Sequence, residues 1–234
     1  MNKPAKKPPI IFCALDTPDL KRAIELAKSV GPVTGGLKLG LEFFSTHGPQ
    51  GVEKVREACP AADIFLDLKF HDIPNTVAAS VKSISENLAP AYLNVHAPGS
   101  TEMMEAAKKV CAKQTKLLGV TLLTSLSDQN LLDVGITESI GVRVLKLATL
   151  AKKSGLDGVV CSGHEIETIR KDLGKDFILM VPGIRPEGSD KNDQKRVMTP
   201  KEALQKGATH LVIGRPITQA KDPAAAACEI LESL

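Results

Sequence analysis

Asp63-Ile64-Phe65-Leu66-Asp67-Leu68-Lys69-Phe70 is an apolar run that acquires an acid and a base at alternate positions near its end, then passes into His71-Asp72-Ile73-Pro74-Asn75-Thr76. Side chains alternate across a strand, so Asp67 and Lys69 project from one face and Leu68 and Phe70 from the other. Leu68 and Phe70 suit packing against helices, which turns the charged pair to the opposite, inner side. A strand that is apolar until its C-terminal end fits a parallel sheet covered by helices, where chemistry collects at the strand ends.

Working outward from this run, the same unit recurs. Strands are expected at Ile10 to Asp16, Gly36 to Gly40, Asp63 to Phe70, Tyr92 to Ala97, Leu117 to Thr124, Gly158 to Gly163, Phe177 to Gly183 and His210 to Gly214. Segments with helical spacing of apolar residues separate them, among them Leu20 to Val30, Thr76 to Leu88, Thr101 to Lys113, Val142 to Lys153 and Glu165 to Leu173. Eight β-then-α units predict an α/β protein, a single-domain (β/α)8 TIM barrel over residues 10–234. An open doubly wound sheet would share the alternation. Two features weigh against it: no G-x-G-x-x-G follows the first strand, and polar residues gather after many strands instead of at one switch point.

The bulk properties agree with one soluble domain. Of 234 residues, 43% are hydrophobic and 24% charged, and 30 basic against 27 acidic residues leave a net charge of +3, too slight and too dispersed for a nucleic-acid partner. Residues 1–9, with Lys3, Lys6 and Lys7 among prolines, are expected to form a flexible tail, since no signal-like apolar stretch follows them. No apolar run has the length of a membrane span, so no membrane contact and a cytoplasmic location are expected. Cys13, Cys59, Cys111, Cys161 and Cys228 are widely spaced without a C-x-x-C pair, which predicts reduced thiols and no zinc site.

At the strand ends the polar residues are Asp16, Lys38, Asp67 and Lys69, Asn94 and His96, Thr124 and Ser125, Pro182-Gly183-Ile184-Arg185 and Gly214-Arg215-Pro216. Lys38 on the second strand can approach Asp67, and Asp72 follows Lys69 by three residues. An alternating array of lysines and carboxylates would keep its members charged and aim a fixed field into the pocket. A structural ion-pair network would have the same spacing.

Gly214 and Arg215 follow the eighth strand, where barrels of this kind bind phosphate: the glycine admits close backbone approach and the arginine offers a forked contact. A rim arginine paired to a carboxylate is the competing account. The polar stretch from Pro186 to Met198 is longer than an ordinary βα connection and reads either as a lid, with Gln194 able to donate to a phosphate, or as a surface loop. His71 and His96 have no ligand partners at metal spacing, Ser125 has no evident base, and Tyr92 and the six phenylalanines read as core.

Asp67-Leu68-Lys69-Phe70-His71-Asp72-Ile73-Pro74-Asn75-Thr76 resembles the signature of the orotidine 5′-phosphate decarboxylase family. Leu15-Asp16, Gly36-Leu37-Lys38-Leu39-Gly40, Asn94-Val95-His96-Ala97, Leu123-Thr124-Ser125, Val181-Pro182-Gly183-Ile184-Arg185 and Ile213-Gly214-Arg215-Pro216 follow the bacterial form in order and spacing. The resemblance implies a TIM-barrel homodimer with shared active sites, no metal and no organic cofactor, converting orotidine 5′-phosphate to UMP and CO2. It implies Lys69 as proton donor to C6, Asp67 beside the substrate carboxylate, and Lys38 and Asp72 completing the catalytic array.

It further implies that Asp72 and Thr76 come from the partner subunit, that Asp16 and Lys38 hold the ribose, and that Thr124 holds the pyrimidine. Arg185, Gln194, Gly214 and Arg215 would hold the phosphate, with Ile73 and Pro182 also against the substrate. Two other functions share parts of the pattern. A metal-dependent sugar-phosphate decarboxylase or hexulose-phosphate synthase shares an Asp-x-Lys-x-x-Asp core, and a catalytically silent nucleotide-binding protein could use the same pocket.

Overall fold

A computed structural model of the chain describes residues 10–186 and 198–234. The expected tail and Gln194 lie outside the described residues. Eight strands, β1 (Ile11–Ala14), β2 (Gly35–Gly40), β3 (Asp63–Phe70), β4 (Tyr92–His96), β5 (Lys116–Val120), β6 (Gly158–Val160), β7 (Ile178–Val181) and β8 (His210–Ile213), pair in parallel in chain order. Ile11, Phe12 and Cys13 of β1 pair with Leu211, Val212 and Ile213 of β8, which closes the barrel. This is the (β/α)8 TIM barrel.

Around it run α1 (Leu20–Thr34), α2 (Leu41–Ala58), α3 (Pro74–Asn87), α4 (Thr101–Val110), α5 (Asp128–Asp133), α6 (Ile140–Lys153), α7 (Ile166–Leu173), α8 (Pro200–Lys206), α9 (Arg215–Thr218) and α10 (Pro223–Glu232). Their ends obey local chemistry. Asp19 caps α1 by accepting from the backbone N–H groups of Lys21 and Arg22, and Thr199 and Glu202 form a capping box at α8. α2 was not among the expected helices. Gly48, at φ 56°, breaks it just before Pro49, and this Gly-Pro break hides the periodicity of its two halves.

The alternation of each strand divides the core into two layers. Ile11, Cys13, Leu37, Leu39, Ile64, Leu66, Leu211 and Ile213 face the helices, while Phe12, Phe65, Tyr92, Leu118, Val120, Val160, Met180 and Val212 fill the barrel. Phe12 is the centre of that filling, edge-on to Phe65 at 6.1 Å and to Tyr92 at 5.2 Å between ring centroids. It fits because β2 has a glycine beside it: a Cβ on Gly36 would stand 2.7 Å from the Ile11 carbonyl oxygen and 2.9 Å from the Phe12 ring. Truncating Phe12 to alanine would cost about 3–5 kcal/mol.

Several strands end earlier than the apolar pattern suggests, β1 at Ala14 and β5 at Val120. Leu15 and Thr121 just beyond them remain buried. Apolar periodicity reports burial, which runs past the paired residues; one more hydrogen bond follows each, from the Leu15 and Thr121 N–H groups to the Lys38 and Val160 carbonyls at 3.0 and 3.1 Å. Farther on, Ile184 and Met198 form an isolated parallel bridge, with the Arg185 backbone N–H donating to the Met198 carbonyl at 3.0 Å. No helix of the described residues is long and apolar enough to cross a membrane.

Candidate active site

Above the aromatic filling, the inward positions change from apolar to charged. Lys38 of β2, Asp67 and Lys69 of β3 and Asp16, two residues past β1, meet there. The Lys38 ammonium lies 2.7 Å from Asp16 Oδ1 and 3.6 Å from Asp67 Oδ2, and Lys69 Nζ lies 2.7 Å from Asp67 Oδ1. Side-chain exposure rises from 9% at Lys38 through 13% at Asp67 to 25% at Lys69 and 53% at Asp16. Lys38 and Asp67 are therefore the more enclosed members of the network, and Lys69 is the more exposed of the β3 pair.

Burial alone would push the Lys38 ammonium down, but the carboxylates of Asp67 and Asp16 more than reverse this and raise it above its ordinary value. Burial likewise favours a neutral Asp67. Lys38 and Lys69, with hydrogen bonds from Lys69 and Asn94, outweigh it and hold the carboxyl below the usual range. Each charge thus fixes the other, and a buried, mutually paired array cannot relax as a reaction proceeds, which is the condition for electrostatic preorganisation.

The expectation that Leu68 and Phe70 face the helices holds: Leu68 belongs to the outer core and Phe70 packs against it. Lys69 itself leaves the regular pleat. Its φ is +50°, and the pairing of β3 with β4 jumps from Leu66 opposite Leu93 to Phe70 opposite Val95. Non-glycine residues seldom occupy that left-handed region, and where they do the surroundings impose it. The buried amide of Asn94 fills the gap: Oδ1 accepts from the Lys69 backbone N–H and Nδ2 donates to Asp67 Oδ1, each at 2.7 Å.

The array opens into a cavity of about 570 Å3 bordered by Asp16, Lys38, Asp67, Lys69, Thr124, Pro182, Arg185, Gly214 and Arg215, all singled out from the sequence. Its floor is Phe65, Val120, Val160 and Val212. Gly183, at φ 76°, makes the turn that carries the chain from β7 to Arg185. Arg185 is buried, with Nη1 donating to the Ile184 carbonyl at 2.9 Å. Leu122, Leu123, Thr218 and Gln219 also border the cavity, although none of them was singled out as a site residue. Thr218 and Gln219 follow Gly214-Arg215 by one helical turn, and that offset is the only clue.

Asp72, Ile73 and Thr76 do not border this cavity. Although spacing would allow Asp72 to extend the array within its own chain, its carboxylate accepts from the Ile73 backbone N–H at 2.6 Å. All three residues are exposed, Ile73 by 67% of its surface, an unusual fraction for a large aliphatic side chain. The His71 and His96 rings lie side by side near the site, centroids 5.4 Å apart and tilted 41° to each other. Burial, then the neighbouring His71 and Lys69, lower the His96 imidazole against the opposing effect of Asp67. Among the described residues, no group of three or more His, Cys, Asp or Glu is placed to hold a metal ion.

Residues 9–230 match the model of the Orotidine 5'-phosphate decarboxylase / HUMPS family. The orotidine 5′-phosphate decarboxylase of Hydrogenovibrio crunogenus is 46% identical, with 100% of this chain and 99% of that protein covered. That of Rhodospirillum rubrum is 49% identical, with 93% and 90% covered. Among solved structures, the orotidine 5′-phosphate decarboxylase of Lactobacillus acidophilus superposes with a TM-score of 0.83 at 36% identity, covering 97% of this chain and 98% of that one. The chain therefore belongs to the Orotidine 5'-phosphate decarboxylase / HUMPS family, and within it stands with the decarboxylases, the carboxy-lyases of pyrimidine nucleotide synthesis.

Proposed function

We propose that the cavity binds orotidine 5′-phosphate and that Lys69 protonates C6 of the pyrimidine as CO2 leaves, giving UMP. The observation that carries this reading is the placement of Lys69: its ammonium borders the cavity, 2.7 Å from Asp67 and more exposed than either Asp67 or Lys38. The bond from C6 to the carboxylate breaks, its electron pair stays on C6, and a proton from Lys69 Nζ moves to that carbon. Solvent then reprotonates the lysine. With no electron sink to absorb the developing charge, a preorganised ammonium beside C6 supplies the stabilisation.

Asp67 opposes the substrate carboxylate electrostatically, because its own charge is fixed by Lys38 and Lys69 and cannot be relieved by protonation. Asp16 and Lys38 hold the ribose and Thr124 the pyrimidine. Arg185, Gly214 and Arg215, with Pro182 beside them, hold the phosphate, and Gln194 joins them from the segment outside the described residues. Binding energy from the phosphate, which takes no part in bond breaking, is then available to organise the distant reacting atoms.

The enzyme acts as a cytoplasmic homodimer without metal or organic cofactor. Asp72, Ile73 and Thr76, exposed and turned from their own cavity, complete the site of the partner subunit. The test follows orotidine 5′-phosphate absorbance with wild-type protein, with and without chelator, beside Lys69→Ala. Turnover that survives chelator and disappears in the variant is expected. No turnover by the wild type, or turnover lost to chelator as in a metal-dependent sugar-phosphate lyase, would refute the reading.

A further inference from the structure

The β3–β4 seam is where the barrel ladder is interrupted, and it is also where Asp67 and Lys69 stand. On its other side β4 is regular, with Asn94 opposite Leu118 of β5. Toward β3, two residues of β4 span the interval that four residues of β3 cover, so the backbones cannot pair between Leu66 and Phe70. A buried backbone N–H left without a partner costs about 1–3 kcal/mol. The Lys69 N–H is such a group, and the partner it finds is a side chain.

Both ends of the Asn94 amide are committed. A backbone N–H can only donate and a carboxylate only accept, so the atom 2.7 Å from Lys69 N is the oxygen and the atom 2.7 Å from Asp67 Oδ1 is the nitrogen. One planar group thus fixes the backbone of Lys69, in its left-handed conformation, and the carboxylate of Asp67 as a single unit. The same carboxylate oxygen that takes the Asn94 hydrogen bond takes the Lys69 ammonium, also at 2.7 Å. Asn94 does not border the cavity and is fully buried, so it touches the reaction only through these two residues.

We propose that Asn94 is a positioning residue for decarboxylation: its amide, bridging the Lys69 N–H and the Asp67 carboxylate across the irregular β3–β4 seam, sets where the Lys69 ammonium sits relative to the substrate. The inference rests on the reading above that Lys69 and Asp67 do the chemistry. Losing the bridge lets Lys69 relax toward ordinary strand geometry and frees Asp67 to turn about its side-chain bonds. The cost falls on the chemical step and leaves the phosphate and ribose contacts in place.

An isosteric change gives the sharper test. In Asn94→Asp, a protonated carboxyl keeps the original pattern, its hydroxyl donating to Asp67 and its carbonyl accepting from Lys69 N–H. Once ionised, it sets two carboxylates against each other and loses the donor. The charged groups facing it are Asp67 and Lys69 on β3, Lys38 on β2 and His96 on its own strand, while β5 presents Leu118. The ratio of variant to wild-type kcat should therefore rise as pH falls.

The experiment measures kcat, KM and UMP affinity for wild type, Asn94→Ala, Asn94→Asp and Lys69→Ala, with folding checked by circular dichroism. Asn94→Ala should stay folded, bind UMP as the wild type does, and lose kcat by about a hundredfold, the scale of a misplacement of about 1 Å. Asn94→Asp should recover toward acid pH. A folded Asn94→Ala with wild-type kcat, a loss confined to KM, or a pH-independent loss in Asn94→Asp would overturn the proposal. If Asn94→Ala does not fold, Asn94→Asp decides. If neither folds, Asn94 supports the barrel and not the site, and the proposal falls. Full activity in Lys69→Ala would instead refute the catalytic assignment on which it rests.

Discussion

Tyr92 and His210 meet across the interior of the barrel, the phenol oxygen 2.9 Å from Nε2, on strands β4 and β8 that share no backbone hydrogen bonds. The other imidazole nitrogen lies 2.7 Å from the Thr209 hydroxyl. Burial depresses the imidazole from 6.5 to about 4. In the native state the ring therefore stays neutral between those values, while the unfolded chain takes up a proton. The stability contributed by the neutral ring is complete above pH 6.5 and declines as pH falls toward the native value.

Between about pH 7.5 and 5 this one group should cost the fold about 2 kcal/mol, and His210→Gln should be correspondingly less sensitive to acid. Urea unfolding of both proteins at the two pH values checks this. An undiminished acid loss in the variant would assign the effect to other groups.

Lys38→Met should leave Asp67 buried with its larger electrostatic partner gone. Its carboxyl then rises from a depressed value, and kcat gains an acid limb at a pH where the wild type shows none, on top of a loss of about a hundredfold or more. A pH–rate profile of the two enzymes decides the point. Parallel profiles would mean that Lys38 does not keep Asp67 ionised.

At the opposite end of the barrel, Arg170 of α7 donates to the carbonyls of Gly207, Gly174 and Phe177 at 2.7, 2.9 and 2.6 Å, tying the close of α8 to the approach of β7. Arg170→Ala should lower stability by about 2 kcal/mol or more and leave kcat at the wild-type level, because none of the three residues whose carbonyls it holds borders the cavity. Thermal unfolding and turnover, measured on one preparation, separate the two effects.

Mixing Lys69→Ala with Asp72→Ala subunits should restore activity if Asp72 serves the neighbouring site. Each mixed dimer then holds one intact site and one doubly defective site, so random exchange recovers about a quarter of wild-type turnover at best. Once mixed dimers have been verified by mass, absence of recovery would place Asp72 in the site of its own chain.

The eight-stranded order and the charged rim were legible because both follow from side-chain alternation in strands buried on two sides. Lys38, Asp67, Lys69, Arg185 and Arg215 stand out as charges at the ends of apolar runs, and all reach the cavity. The Asn94 bridge was not legible. It depends on a register shift, and alternation assumes a regular ladder; the sequence places Asn94 on the rim without showing that it bridges two residues of the next strand. The side to which Asp72 turns was not legible for a related reason, since spacing of three residues says nothing about the direction of an outgoing loop. Leu123, Thr218 and Gln219 border the cavity from segments beyond the ladders, where no period applies.

The bridge between Ile184 and Met198 anchors both ends of residues 185–197 to the barrel within one hydrogen-bonded contact. Ile184 and Met198 thus hold the two ends of that stretch together whatever its length. Doubling its length would add only about 0.6 kcal/mol of closure entropy, and none of that change passes through the strands carrying Lys38, Asp67 and Lys69. Ile184 and Met198 act as a closed neck, so a change in the length of chain between them leaves the register of β2 and β3, and with it the Lys38–Asp67–Lys69 geometry, untouched.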